Sequence, residues 1–284
     1  MSSLDKLSAQ QRARLEHWLP GLSVLHDHSW GLIGTTVLEV SYKDQRFIVK
    51  AGDVRDHHLA RELRAHREWL APWAATSTER ARAPELVRSD SEAKILVTRY
   101  LPGVLVEGTP AEHDPDVHRQ AGVLLAQLHA QLHMHDAGYE ERARNRSLAW
   151  LDRPHRIATH VEDRLRAVLA GWPTPPAVLV PTHGDWQPRN WLMHDNRVSV
   201  IDFGRADLRP AMTDFARLAA QQWRTSPALE AAFLKGYGQD PREREAWRRF
   251  APLPTPRRHP KVWSPRPRHW QWRRPRGRPS ASRR

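Results

Sequence analysis

The segment THGDWQPRNWLMHDNRVSVIDFG, Thr182–Gly204, constrains the fold of this chain more than any other part of the sequence. Two short apolar runs flank the dipeptide Asp195-Asn196, which favours the positive φ angles of a two-residue hairpin turn. With that turn, Asn190 lies opposite Ile201, the residue before Asp202. The sequence therefore predicts a β-hairpin that brings an amide and a carboxylate to the same end.

An amide oxygen and a carboxylate held together form the kind of hard-oxygen site that Mg²⁺ prefers. Mg²⁺ uses few protein ligands and completes its octahedron with phosphate oxygens and water. The apolar run Ala177–Pro181 enters the segment as a buried strand would. Asp185 follows on a proline-containing loop, five residues before Asn190, and we expect it to face whatever the metal holds.

The pattern H-x-D-x-x-x-x-N followed by D-F-G resembles the catalytic and metal-binding loops of the protein-kinase-like superfamily. Gly184, where protein kinases have arginine, makes it resemble the aminoglycoside phosphotransferase and choline kinase-like family. A chance match to one short motif is common, but two in the right order joined by a hairpin are much rarer. The resemblance implies a catalytic base at Asp185, magnesium ligands at Asn190 and Asp202, and supports of the loop at His183 and Asp214.

A second part of the resemblance lies upstream, in the predicted strand RFIVKAG, Arg46–Gly52. Its Lys50 can reach the phosphates of ATP as a point charge, although a lysine on a solvated strand edge is the alternative. The following helical pattern places Glu62 beside the buried stripe, where the resemblance implies an ion pair with Lys50. Glu68 is a rival partner, and an exposed carboxylate is the other alternative.

Two further segments resemble parts of the family's nucleotide site. SWGLIGTT resembles the loop that covers the nucleotide, where glycines let the backbone approach phosphate and threonines add hydroxyl donors. It lacks a full G-x-G-x-x-G, so by itself it could be an ordinary hairpin turn. AKILVTRYLPG resembles the strand and hinge under which adenine would stack. The candidate nucleotide-binding residues in these segments are Gly31, Gly34, Thr35, Arg99 and Leu101.

The resemblance implies an α+β fold with two lobes, as in the protein kinases. Residues 1–100 would form a small N-terminal lobe, an antiparallel sheet with one helix that binds nucleotide. Residues 101–250 would form a larger, mainly helical catalytic lobe. Residues 251–284 contain ten Arg, one Lys and no acid, so this basic, proline-rich tail carries most of the net charge of +13. We interpret it as disordered or as an out-of-frame translation.

Helical periodicity predicts three helices around these motifs. One spans Val54–Trp73. A second begins with Asp114 as its N-cap and has Leu132 as the last residue of its buried face. A third places Val161 and Val168 inward and ends at Gly171.

Composition excludes several functional classes. The chain has no cysteine, which excludes disulfides, zinc–thiolate sites and thiol nucleophiles. No apolar run approaches the roughly 20 residues that span a bilayer, and the N-terminus MSSLDKLSAQ is not typical of a signal peptide. We therefore expect a soluble, cytoplasmic protein without a membrane partner. Its oligomeric state is not indicated.

These patterns predict an ATP-dependent, Mg²⁺-requiring phosphotransferase that acts on a hydroxyl of a small molecule. Aminoglycoside-like antibiotics, amino alcohols and sugars are all possible acceptors. The alternatives are a non-catalytic nucleotide-binding pseudokinase and a nucleic-acid binder that acts through the tail 251–284.

Overall fold

The structure is a computed structural model that describes residues 3–29, 34–74 and 81–250, apart from the side chains of residues 249–250. It has the α+β, two-lobed architecture that the sequence predicts. The strands are β1 (Ser23–Asp27), β2 (Thr35–Tyr42), β3 (Gln45–Gly52), β4 (Leu86–Asp90), β5 (Ile95–Arg99), β6 (Val104–Leu105), β7 (Met134–Asp136), β8 (Ala177–Thr182), β9 (Trp191–His194), β10 (Arg197–Val200) and β11 (Asp207–Arg209). The helices are α1 (Ala9–Trp18), α2 (His58–Glu68), α3 (Pro115–His129), α4 (Tyr139–Leu151), α5 (Thr159–Ala170), α6 (Ala216–Ala220), α7 (Gln222–Thr225), α8 (Pro227–Tyr237) and α9 (Arg244–Phe250).

The N-terminal part is built on an antiparallel sheet with the strand order β1-β2-β3-β5-β4. Strands β2 and β3 are joined at Lys43 and Asp44, whose φ angles of 47° and 59° suit a tight hairpin turn. Phe47 and Val49 on β3 are buried in the core, and the alternating Lys50 points to the opposite face of the sheet. This alternation delivers the lysine to the side where α2 and the second lobe lie.

Two α-helices flank this sheet rather than the single one predicted. The predicted helix, α2, begins at His58 because the Asp56 carboxylate accepts hydrogen bonds from the backbone N–H groups of His58 and Leu59. The additional helix, α1, begins with a capping box in which Ser8 and Gln11 bond each other's backbone N–H groups. That box is a sequence signal for α1 that hydrophobic periodicity did not provide.

The larger core belongs to the C-terminal part. Helices α3 and α8 pack closely against each other, and Gly122 and Gly236 lie where an added Cβ would meet the facing backbone within 2.2 Å. The same core includes residues from the end of α2 and beyond, among them Trp69 and Trp73, together with Phe203. Residues of the N-terminal and C-terminal parts therefore pack together in one hydrophobic core.

Two predicted burial patterns are wrong. Helix α3 has its predicted N-cap, since the Asp114 side chain accepts from the N–H of Asp116, but it ends at His129 and leaves Leu132 exposed. In α5, Val161 and Val168 are exposed and Leu169 is the buried residue. The principal neighbour of α5 is α4. Helix α5 therefore packs against another surface helix and not against the hydrophobic core.

No helix in the described part of the chain is long and apolar enough to cross a membrane. The tail 251–284 and Gly31 lie outside the described residues. The domain boundaries at residues 100 and 250 stay predictions.

Candidate active site

The hairpin predicted around Asp195-Asn196 is present. Strands β9 and β10 pair with Arg197 opposite His194, and the two turn residues have φ angles of 45° and 57°. At the open end of the hairpin, the Ile201 N–H donates to the Asn190 carbonyl at 3.0 Å. Asp202 is the next residue, so the hairpin brings Asn190 and Asp202 to one end, as predicted.

His183 links the loop before the hairpin to the strand that returns from it. Its Nδ1 accepts from the Asp185 N–H at 3.2 Å, and its Nε2 lies 3.1 Å from the Ile201 carbonyl. The ring is fully buried and packs 4.7 Å from the ring of Phe203. The imidazole therefore ties the backbone of Asp185 to the segment that carries Asp202.

The Asp185 carboxylate is buried, with 3% exposure, and is surrounded by donors. Gln187 and Arg189 donate to its two oxygens, and the Asn190 amide nitrogen donates to its backbone carbonyl at 2.8 Å and its Oδ2 at 3.3 Å. Arg217, from α6, places its Nε 3.4 Å from Oδ1. Asp185 is thus held in one orientation with two guanidinium groups beside it.

Asp214 holds the loop from behind. Its two carboxylate oxygens accept from the backbone N–H groups of His183 (2.8 Å) and Gly184 (2.6 Å), and His129 Nε2 lies 3.2 Å away. Burial opposes its ionisation, but these hydrogen bonds and the nearby imidazoles hold the pKa of Asp214 below its ordinary value of 3.8. The bracing position implied by the resemblance agrees with these contacts.

Gly184 is required by both conformation and space. Its φ angle is +77°, a region that side chains rarely adopt. A Cβ there would lie 2.3 Å from the Arg205 carbonyl and 2.5 Å from Arg209 Nη1. The glycine therefore lets the loop pass close to the chain that follows Asp202.

Lys50 lies between the two lobes, and its ammonium contacts two carboxylates. Its Nζ is 2.7 Å and 2.9 Å from the two oxygens of Glu62 and 3.1 Å from Asp202 Oδ1. The rival Glu68 lies on the exposed face of α2. Lys50, Glu62 and Asp202 are therefore brought together across the cleft.

The electrostatics of this cluster favour charged partners. The Lys50 ammonium lowers the pKa of Asp202 to about 2. Burial of Lys50 opposes its charge, but Asp202 and Glu62 together raise the pKa of its ammonium above the ordinary value. An ammonium and a carboxylate therefore persist side by side throughout the neutral pH range.

Asn190 and Asp202 suit a magnesium ion. The nitrogen of the buried Asn190 amide is bonded to Asp185, which leaves its oxygen for another partner, and the Asp202 side chain is about half exposed, at 54%. No group of three or more His, Asp or Glu side chains in the described regions could hold a metal by itself. A metal here would therefore need phosphate oxygens and water, as Mg²⁺ with a nucleotide does.

Of the predicted nucleotide-covering loop, residues 29–36, the structure describes Ser29 and residues 34–36. The position of a Cβ on Gly34 overlaps the Asp53 carboxylate, so the glycine permits close packing of the two strand ends. The Thr35 hydroxyl donates a hydrogen bond to the Asp56 carboxylate at 2.7 Å, and both residues belong to the N-terminal lobe. A contact of Thr35 or Gly34 with phosphate stays a prediction.

The hinge residues lie on the strand β5 and just after it. The Arg99 side chain bonds Glu85 and Gln45 (2.5 Å and 2.9 Å), away from the Lys50 cluster. Leu101 is buried against Leu105 and Leu192. Arg99 therefore forms an ion pair with Glu85. Adenine binding near Arg99 and Leu101 stays a prediction.

The sequence reasoning missed two arginines and one histidine at this site. Arg189 lies inside the recognised motif, four residues after Asp185, and its position could have indicated the contact. Arg217 and His129 lie on α6 and α3, far in sequence from the loop that carries Asp185. No local sequence pattern predicts their contacts with Asp185 and Asp214.

Fold and site together define a kinase-like phosphotransferase, and comparison with known proteins agrees. The sequence profile of the phosphotransferase enzyme family matches residues 27–253. The chain therefore belongs to that family, of the aminoglycoside phosphotransferase and choline kinase type. A comparison with curated protein sequences finds no match.

Solved structures give the same fold at low sequence identity. A macrolide 2′-phosphotransferase from Brachybacterium faecium is 22% identical, with a TM-score of 0.58 over 83% of this chain and 84% of that one. A choline kinase from Streptococcus pneumoniae is 17% identical, with a TM-score of 0.62 over 88% and 86%. A spectinomycin phosphotransferase, solved with ADP and spectinomycin, is 12% identical, with a TM-score of 0.53 over 86% and 84%.

Proposed function

We propose that this protein transfers the γ-phosphoryl group of ATP to a hydroxyl of a small molecule. The observation that carries the proposal is the Lys50 ammonium, held between Glu62 of the N-terminal lobe and Asp202 of the C-terminal lobe. The hairpin that carries Asp202 also fixes Asn190 against Asp185. This arrangement provides a cation, two oxygen ligands and a buried carboxylate within one small volume.

Lys50 would bind the α- and β-phosphates, and Glu62 would keep its ammonium pointed into the cleft. Asn190 and Asp202 would hold Mg²⁺, which neutralises charge on the triphosphate when bound. The spectinomycin phosphotransferase of the same fold was solved with ADP, which supports a nucleotide in this cleft. A cytoplasmic location, where ATP is available, is part of the proposal.

Asp185 would orient the accepting hydroxyl and take its proton. The transition state of phosphoryl transfer is loose, so positioning and charge stabilisation contribute most of the catalysis. Because the proton leaves late, a carboxylate suffices as the acceptor. His183 and Asp214 would act as positioning residues, because they bond the backbone of the loop that carries Asp185.

Replacing Asp185 tests this proposal. We expect Asp185→Asn to lower kcat by about 10²- to 10⁴-fold, the usual contribution of a general base, while Mg²⁺-ATP still binds. Transfer would be measured over a panel of hydroxylated small molecules, and nucleotide binding by calorimetry. Asp163→Asn, an exposed change on α5, is the matched control.

Two outcomes would count against the proposal. Transfer that persists in Asp185→Asn would remove this carboxylate from its role. Nucleotide binding without any transfer by the wild-type protein would favour the non-catalytic pseudokinase.

A further inference from the structure

Two guanidinium groups flank the carboxylate that the proposed reaction needs. On the basis of the proposed function, we infer that Arg189 and Arg217 select the acceptor. The preferred substrate is a hydroxylated small molecule that carries an anionic group, a carboxylate or a phosphate, near the accepting hydroxyl. Polycationic acceptors such as aminoglycosides are disfavoured.

The geometry places both arginines where an acceptor must arrive. Arg189 Nη2 donates to Asp185 Oδ2, and Arg217 Nε lies 3.4 Å from Asp185 Oδ1. A hydroxyl that gives its proton to Asp185 must come within hydrogen-bond distance of the same two oxygens. The rest of the acceptor is then within reach of one or both guanidinium groups.

The local charge is positive. One carboxylate faces two guanidinium groups, and the other bonded neighbours, Gln187 and Asn190, are neutral. An anionic group on the acceptor would be attracted to this position, whereas an ammonium group would be repelled by both arginines.

The neighbouring carboxylates are either paired with cations or buried behind the loop, so an acceptor at Asp185 meets the two guanidinium groups first. Asp202 bonds Lys50, Asp207 bonds Arg64 at 2.6 Å, and Asp214 bonds the buried loop backbone. Each of these three acids therefore already has partners within the protein. They offer little attraction to a cationic acceptor.

The two arginines differ in their freedom to move. Arg189 is 26% exposed and makes a close hydrogen bond, so it holds Asp185 in place. Arg217 is 47% exposed, and its contact with Asp185 is the longer of the two. A single contact at 3.4 Å is weaker than a close hydrogen bond, and a guanidinium binds carboxylate or phosphate through two parallel hydrogen bonds. Arg217 can therefore exchange Asp185 for an anionic acceptor and leave Asp185 available to the hydroxyl.

Matched acceptors of different charge test the inference. The first set is glycerate, glycerol and 3-amino-1,2-propanediol, and the second set is gluconate, glucose and glucosamine. Each acceptor would be assayed with Mg²⁺-ATP and the full chain. Kanamycin would serve as the polycationic acceptor in the same assay. We expect the anionic member of a set to have a kcat/KM higher than the amino member by about tenfold or more.

Variants of Arg217 then assign the preference to this side chain. Arg217→Gln should raise KM for the anionic acceptor about tenfold with KM for ATP unchanged, and Arg217→Lys should restore part of the loss. Arg224→Gln removes the same charge from an exposed position on α7 and should behave as the wild type.

Three results separate the possibilities. Preference for amino acceptors, or transfer to none of the anionic probes while ATP is hydrolysed, would overturn the inference alone. An equal fall in kcat for every acceptor in Arg217→Gln would also overturn it, because Arg217 would then act on the transferred phosphoryl group. Loss of both Mg²⁺-ATP binding and hydrolysis in the wild type would instead overturn the proposed function itself.

Discussion

The two sides of the candidate active site are built on different physical principles. Behind the loop, the Asp214 carboxylate is 1% exposed and bonds backbone N–H groups. Across the cleft, Lys50, Glu62 and Asp202 bond one another only through side chains, and Asp202 is half exposed. The first arrangement fixes the shape of the loop, and the second holds charges that a ligand can rearrange.

This difference has an energetic basis. A buried N–H that loses its acceptor costs about 1–3 kcal/mol, and no solvent replaces the bond. The Lys50–Asp202 pair can exchange partners at lower cost, because the Asp202 side chain is half exposed and solvent and ligand compete for its charge. Substitutions behind the loop should therefore affect folding first, whereas those in the cleft should affect binding first.

The largest expected effect is that of Asp214→Ala. It leaves the N–H groups of His183 and Gly184 and the His129 ring without their acceptor, so we expect the free energy of unfolding to fall by about 3–5 kcal/mol. Urea denaturation would measure the change, with exposed Asp163→Ala as the control. A loss below about 1 kcal/mol would mean that the loop does not depend on this carboxylate.

Gly184→Ala should have the next largest effect. The positive φ angle costs about 1–2 kcal/mol for a residue with a Cβ, and the contact with the Arg205 carbonyl adds about 1–3 kcal/mol. Gly108→Ala is a matched control, because Gly108 has a φ angle of +75° with nothing within 4 Å of its added Cβ. Equal destabilisation of the two variants would show that the close approach at Gly184 is unimportant.

Asp202→Asn should affect binding more than stability. We expect the affinity for Mg²⁺-ATP to fall about 10- to 100-fold, which corresponds to about 1.4–2.8 kcal/mol, while the affinity for metal-free ATP changes less. The loss should be the same from pH 5 to pH 9, because the pKa of Asp202 is held at about 2. Calorimetry with and without Mg²⁺ would measure it. Unchanged affinity would contradict the assignment as a metal ligand.

The smallest effect concerns acid stability. The pKa of Asp214 is lower in the folded protein than its ordinary value of 3.8. Its ionised carboxylate therefore contributes fully to stability above the ordinary pKa, and this contribution is lost as the pH falls through the pKa of the folded protein. The stability difference between wild type and Asp214→Asn should therefore be constant above about pH 5 and shrink below about pH 4. Urea titrations at successive pH values would measure it, and a difference that grows on acidification would contradict the lowered pKa.

Predictions from the sequence succeeded where the relevant interactions are local. The turn at Asp195-Asn196 sets the register of its hairpin, and the periodic segment predicted to be helical forms α2, which buries Leu59 and Leu63. The inward faces predicted for Val161, Val168 and Leu132 were wrong. Periodicity shows which residues share a face of a helix, but it does not show what packs against that face.

The candidate site divides in the same way. The sequence identified Asp185, Asn190 and Asp202 because they lie on one hairpin and its approach loop. The pairing of Glu62 with Lys50, in preference to Glu68, follows from the orientation of α2 against the sheet. Arg217 reaches Asp185 only because α6 packs beside the loop.

The sequence alone determined the hairpin, the order of the motifs and the kinase-like class of the fold. The hairpin depends on turn preferences and strand alternation, which act over a few residues, whereas the class of the fold followed from the resemblance of the motifs to a known family. Tertiary structure decided which distant charges meet: the placement of Arg217 on Asp185 and of His129 on Asp214. Such contacts depend on how helices pack, and packing is set by the shape of the whole core rather than by any local pattern.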